Sequence, residues 1–175
     1  VRNQLGGWTD LGQVKGFKAY AEKPGRRIKV ESREIEQTHL CLALPGLSTF
    51  DPRHYTLDIM NVILGEGMSC RLFTHVRDEL GLAYSVHSYV EHLADTGSLT
   101  VYAGVDTGKL KLALNAILKE LNHLRSEQIT ETELSKAKEQ AKGHLLLRLE
   151  DSRSVAGWHG GQEIMKGEIL TVDEV

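Results

Sequence analysis

The sequence predicts an α+β fold, a mixed or antiparallel sheet with helices packed on one face. Three observations carry that expectation. Short stretches alternate apolar and polar residues with a period of two, and longer ones repeat their apolar residues at helical spacing. The elements also run strand, strand, helix, helix, strand, strand, helix, helix, helix. Strict strand–helix–strand alternation, which a dinucleotide-binding sheet needs, is missing.

Each element has a local reason. Residues 1–25 hold Gly6, Gly7, Gly12, Gly16, Pro24 and Gly25. Val1–Trp8 therefore reads as the tail of a preceding element and Thr9–Gly25 as a linker, leaving 26–175 as the main unit. In Arg27–Arg33, Ile28, Val30 and Ser32 alternate with polar neighbours, the pattern of a half-buried strand. A second strand sets Leu40, Leu42 and Leu44 against His39, Cys41 and Ala43, and Pro45-Gly46 stops it. Asp51-Pro52 opens a helix over Arg53–Leu64, because Asp accepts from free N–H groups and Pro suits the first turn. Ser69 is placed to cap a second helix, Cys70–Leu80, which Gly81 ends by taking a left-handed conformation.

Ala83–Glu91 and Ser98–Val105 then read as a hairpin turned at Ala94-Asp95-Thr96-Gly97. Lys109–Arg125 places Leu110, Leu114, Ile117, Leu118, Leu121 and Leu124 on one helical stripe. Thr130 and Glu133 form a capping box for a helix reaching about Leu149, and Ser152 is expected to cap a last helix through Lys166. Thr171 or Asp173 stands where one more helix would be capped, and Val1 follows no signal-peptide pattern, so both ends are expected to be cuts. That leaves the compartment open, with the cytoplasm as the default.

Composition removes whole classes of function. The 175 residues suit one domain with a fragment of a second, and 41% hydrophobic with 26% charged residues is an ordinary globular mix. Lys and Arg total 21 against 24 Asp and Glu, a net charge of −3, which argues against a nucleic-acid binder. No apolar run approaches the roughly 18 residues of a membrane span. Cys41 and Cys70 are too few for a disulfide scaffold.

Eight histidines invite a test for zinc. A zinc-peptidase helix needs two His four residues apart beside a Glu, so that both imidazoles share a face with the general base. No His here precedes a Glu. The one Glu-His pair, Glu91-His92, has Ser88 where the inverse motif needs His, with His87 one place too early. No metal site is expected in this chain. Gly65-Glu66-Gly67-Met68-Ser69 and Gly104–Lys109 lack the Gly-Lys-Ser/Thr ending of a phosphate loop, and no Gly-x-Ser-x-Gly elbow marks a nucleophile. Cys41 lies within a strand. Cys70, near a helix start where a thiol pKa can fall, has no partner in sequence.

Arg77 and Tyr84 form a more interesting pair, with Gly81 turning the chain between them. Such a turn could aim a guanidinium and a phenol into one cleft, where two donors can face a developing oxyanion. Their plainer reading is a cation favoured at a helix C-terminus and a core tyrosine with its hydroxyl at the edge.

Ala43–Gly46, Ile63–Phe73 and Val76–Val86, that is ALPG, ILGEGMSCRLF and VRDELGLAYSV, resemble the pitrilysin/insulinase family of zinc peptidases, which includes mitochondrial processing peptidase and insulin-degrading enzyme. The likeness is to the second, non-metal half-domain. It runs from about Arg27 onward and is most specific from Gly65 to Ser88, while Val1–Trp8 is similar to the closing helix of the first half-domain. Glu66 departs from the family pattern where a third Gly is common, and Cys70 where Ser is frequent.

The resemblance implies a processing-peptidase-like metallohydrolase half-domain and a zinc endopeptidase that closes like a clamshell around a peptide. It places zinc in the full-length enzyme or a partner, and none in this fragment. Arg77 and Tyr84 match the family's substrate-binding Arg and Tyr in type, spacing and surroundings, while no catalytic or metal-binding residue is carried over. The implied partners are a peptide substrate, the missing N-terminal zinc half-domain and a second subunit in a homo- or hetero-dimer, with no nucleic acid and no membrane. The family also contains non-catalytic scaffold subunits, the alternative reading.

Overall fold

Strand β1 (Thr38–Pro45) alternates in burial at every residue, turning Leu40, Leu42 and Leu44 inward, as its sequence pattern requires. The computed structural model describes residues 2–7, 21 and 36–174. The expected strand Arg27–Arg33, the 25/26 boundary and nearly all of the expected linker lie outside the described residues. Of the opening segment, Arg2–Leu5 forms a short helix, α1.

Strands β2 (Ala83–His92) and β3 (Gly97–Val105) form the expected hairpin, with the Leu93 N–H donating to the Thr96 carbonyl at 2.9 Å. β3 lies in the centre, and the described sheet is antiparallel throughout in the order β1-β3-β2. One face carries Leu99, Val101, Ala103 and Val105 of β3 with Ala83 and Val86 of β2. Helices α2 (His54–Gly65) and α3 (Leu110–Ser126) and a helix over Leu72–Glu79 pack there, burying Leu64, Leu72, Val76 and Ile117 completely. Burying four such side chains contributes about 1.5–3 kcal/mol each. The other face shows His39, Cys41, His87, Tyr89 and Tyr102, with His39 Nδ1 2.6 Å from the Tyr102 hydroxyl and the His87 ring 4.9 Å from the Tyr102 ring.

Helix α4 (Glu131–Arg148) packs on α2, and its start is the expected capping box, with Thr130 and Glu133 exchanging side-chain-to-backbone hydrogen bonds. Helix α5 (Ser152–Lys166) ends at Gly167 in the left-handed region. Its cap is Asp151 rather than Ser152: the Asp151 carboxylate accepts from the Ser154 N–H at 2.9 Å. Thr171 does begin a further turn, the 3-10 segment Val172–Glu174. Asp51 accepts from the Arg53 N–H at 2.9 Å, so the turn is as expected but the helix itself starts at His54. In α3 the Leu118 position is 41% exposed, and Ala113 and Glu120 are buried instead.

The second helix differs most from expectation. Leu72–Glu79 is a π-helix, closed by the Leu80 N–H donating five residues back to the His75 carbonyl at 3.1 Å. Ser69 does not cap it. The buried Cys70 thiol lies 3.4 Å from the Phe73 N–H and accepts from it. Two glycines allow close approach or reversal here. A side chain on Gly65 would overlap the backbone and hydroxyl of Ser88, and Gly81 turns at φ +57° with open space around it.

Candidate functional site: the Gly81 corner

Arg77 and Tyr84 lie on either side of the Gly81 turn, each on an irregular piece of backbone. Arg77 is in the last turn of the π-helix, exposed, with its guanidinium 4.5 Å above the Phe73 ring. Beyond it the Gly81 N–H donates to the Arg77 carbonyl at 3.1 Å and the Leu82 N–H to the Val76 carbonyl at 3.0 Å. β2 begins at once. Ala83 pairs with Val105 and Ser85 with Gly104, so Tyr84 is the extra residue of a β-bulge. A bulge re-aims a side chain out of the regular alternation, and Tyr84 is 68% exposed. It is not the core residue of the plainer reading.

The π-helix that carries Arg77 is tied down by two side-chain contacts to carboxylates. Arg71 Nε and Nη2 reach the Glu133 carboxylate at 2.8 and 3.0 Å, fastening the helix start to α4. That guanidinium, aided by the Thr130 capping bonds, holds the Glu133 carboxyl down to about 2 against its own desolvation. His75 Nδ1 lies 3.0 Å from Oε1 of Glu120, which is 5% exposed, linking the mid-helix to α3. No hydrogen bond joins Arg77 to Tyr84, and neither lines the cleft of about 580 Å³ between α2, β2 and α4.

The remaining candidates resolve simply. His92 is held by the Leu47 carbonyl at 2.6 Å and by Asp58 at 3.1 Å, and His87 stacks near Tyr102. Among the described residues no three His, Cys, Asp or Glu side chains are arranged to hold a metal ion. Burial pushes the Cys70 thiol up, opposite to the lowering that a helix start suggested, and leaves it a poor nucleophile. Glu66 meets His144 Nδ1 at 2.9 Å, and its carbonyl accepts from Gln140 at 3.0 Å.

The backbone that presents Arg77 and Tyr84 has no signature in the sequence. Neither a π-helix nor a bulge leaves a periodicity signal, since each is a single-residue slip in an otherwise regular pattern.

Residues 1–141 match the family described as the peptidase M16 inactive domain. A Bacillus subtilis protein named as an uncharacterized zinc protease, YmxG, is 39% identical over 170 residues, covering 96% of this chain and 42% of the relative. A Streptomyces coelicolor protein, likewise named as an uncharacterized zinc protease, is 38% identical over 149 residues, covering 85% of this chain and 32% of its own. This chain thus spans less than half the length of those relatives. The crystal structure of an inactive peptidase domain from Bordetella parapertussis superposes with a TM-score of 0.65 at 20% identity, over 73% of this chain and 70% of that one. At that identity the likeness shows the fold, helices on one face of an antiparallel sheet. By its sequence and its architecture together, the chain belongs to the inactive-domain family of the M16 zinc peptidases.

Proposed function

We propose that this chain is the substrate-binding half of a zinc-dependent endopeptidase, which hydrolyses peptides in a chamber closed by two halves. The zinc site lies outside this chain, on an N-terminal half-domain or a partner subunit, and the assembly is a homo- or hetero-dimer. The observation that carries the reading is the Gly81 corner: a π-helix and a β-bulge, two irregularities that cost regular hydrogen bonding, meet at one turn and present two exposed donors. A peptide carbonyl is an acceptor, and both side chains only have to reach it. The Tyr84 hydroxyl donates one hydrogen bond to such an oxygen. Arg77 leaves the Phe73 ring, a contact of roughly 0.5–1 kcal/mol at an exposed site, and adds a charged donor. Both interactions strengthen as negative charge grows on the oxygen.

The test is Arg77→Ala and Tyr84→Phe in the complete enzyme. Each is expected to lower turnover by about 10²–10³, the usual loss for one oxyanion-type donor, with zinc content and folding unchanged. Tyr84→Phe is the cleaner of the two, because it keeps the ring. Near-normal turnover in both variants, with zinc retained, overturns the assignment and leaves the scaffold reading.

A further inference from the structure

The Leu80–Tyr84 turn has one side-chain hydrogen bond among the described residues, and it comes from far away in sequence. Lys109 Nζ donates to the Gly81 carbonyl at 3.1 Å. That carbonyl lies just past the π-helix, where oxygens left without intrahelical donors favour a cation. The lysine stem starts from a well-held point. Asp106 accepts from the Gly108 N–H at 2.7 Å, the Lys109 N–H donates to the Asp106 carbonyl at 2.9 Å, and Thr107 meets Thr38 of β1 through hydroxyls 2.8 Å apart. Leu110, the next residue, packs against the core.

Leu82 and Ala83 pack on the core, but the outer residues of the corner are less tied. Tyr84 is outside the β2–β3 register, and Gly81 has nothing within 4 Å of the place a side chain would occupy. The core holds Leu82 and Ala83, so the path of the turn itself depends on the Gly81 and Leu82 amide bonds and on the contact from Lys109, just before α3. We propose that Lys109 is a positioning residue: by holding the Gly81 carbonyl it fixes the turn that sets Tyr84 against Arg77. The proposal rests on the substrate-binding reading of that pair.

The test uses the complete enzyme with Lys109→Met, Lys109→Arg, Tyr84→Phe and the Lys109→Met/Tyr84→Phe double variant. Loss of one such hydrogen bond is expected to lower kcat about tenfold, with a smaller change in KM, because the donors it aims act most strongly on the charge that develops during the reaction. Lys109→Arg, which keeps a donor in reach, should restore most of the loss. Because Lys109 acts through Tyr84, the double variant should be no slower than Tyr84→Phe alone. Hydrogen exchange at the Gly81–Ser85 amides should rise in Lys109→Met, with exchange in β3 unchanged. Unchanged exchange at those amides, or a kcat loss that adds in full to that of Tyr84→Phe, overturns the positioning role while leaving the substrate-binding pair intact. Normal turnover in Tyr84→Phe removes Tyr84 from the substrate-binding reading and overturns the proposal with it.

Discussion

Leu72 and Arg77 sit on the same π-helix, yet one is completely buried and the other is exposed at the Gly81 corner. The Leu72 side belongs to a regular layer, closed by Leu64, Val76, Ile117 and the inward row of β3. The Arg77 side borders a left-handed glycine and a bulge. The difference teaches a division of labour. The regular layer fixes where the π-helix lies, and the irregular backbone decides which side chains leave the layer and in what direction. Substitutions on the two sides should therefore separate stability from turnover.

The largest stability effect is expected in the layer. Leu72→Ala and Ile117→Ala should each destabilise by about 2–5 kcal/mol in urea unfolding, since each removes several buried methyl or methylene groups from a site that cannot collapse fully. Losses below 1 kcal/mol at both sites would mean that the π-helix is not held by the layer.

Next comes the Arg71–Glu133 tie, which has a pH signature. The folded state holds the Glu133 carboxyl at about 2, below its ordinary 4.5. A depressed carboxylate stabilises fully above its unfolded pKa, and that contribution is lost as pH falls from about 4.5 toward 2. With the Glu133 side chain 34% exposed, screening reduces the gain to about 1–2 kcal/mol. Glu133→Gln should lose that much at neutral pH and converge with the unaltered protein near pH 2. An equal gap at every pH would assign the loss to packing instead.

Gly81→Ala probes the hinge between the two sides. No atom lies within 4 Å of the new methyl, so only the positive φ is penalised, at about 1 kcal/mol. Gly81→Asn should cost less, because Asn tolerates this region better than Ala. Equal costs for the two would place the strain elsewhere than in φ.

Much of this architecture was legible from residue spacing because it is periodic. Leu40, Leu42 and Leu44 announce β1, and Thr130 with Glu133 announces α4. The caps were read less well, because Asp151 and Ser152 are adjacent and both accept hydrogen bonds; the backbone decides which one lies outside the helix. Leu118 was misplaced for a different reason. The carboxylate of Glu120, met by His75, occupies a buried position that a leucine count assigns to apolar residues. The identities of Arg77 and Tyr84 came from family motifs. Their presentation came from the fold alone, because a bulge at Tyr84 and a bond from Lys109, 28 residues from Gly81, leave no local pattern.

The smallest stability change is expected at Arg77 itself, and it sharpens the contrast with Leu72 most. Arg77 is exposed, and the Phe73 ring 4.5 Å away is its one close partner beyond the backbone among the described contacts. Exposed contacts of this kind contribute roughly 0.5–1 kcal/mol, and the alanine that replaces arginine has slightly better helix propensity, which offsets part of the loss. Arg77→Ala should therefore shift unfolding by no more than about 0.5 kcal/mol, the ordinary range for a surface site. Turnover in the complete enzyme should nevertheless fall by about 10²–10³. Phe73→Leu provides the control, since it removes the aromatic ring and keeps the guanidinium. If the ring merely parks Arg77 between substrates, that variant should bind peptide at least as tightly as the unaltered enzyme. If it lowers turnover as far as Arg77→Ala does, the ring is what aims Arg77, and the stacked conformation seen here is the working one.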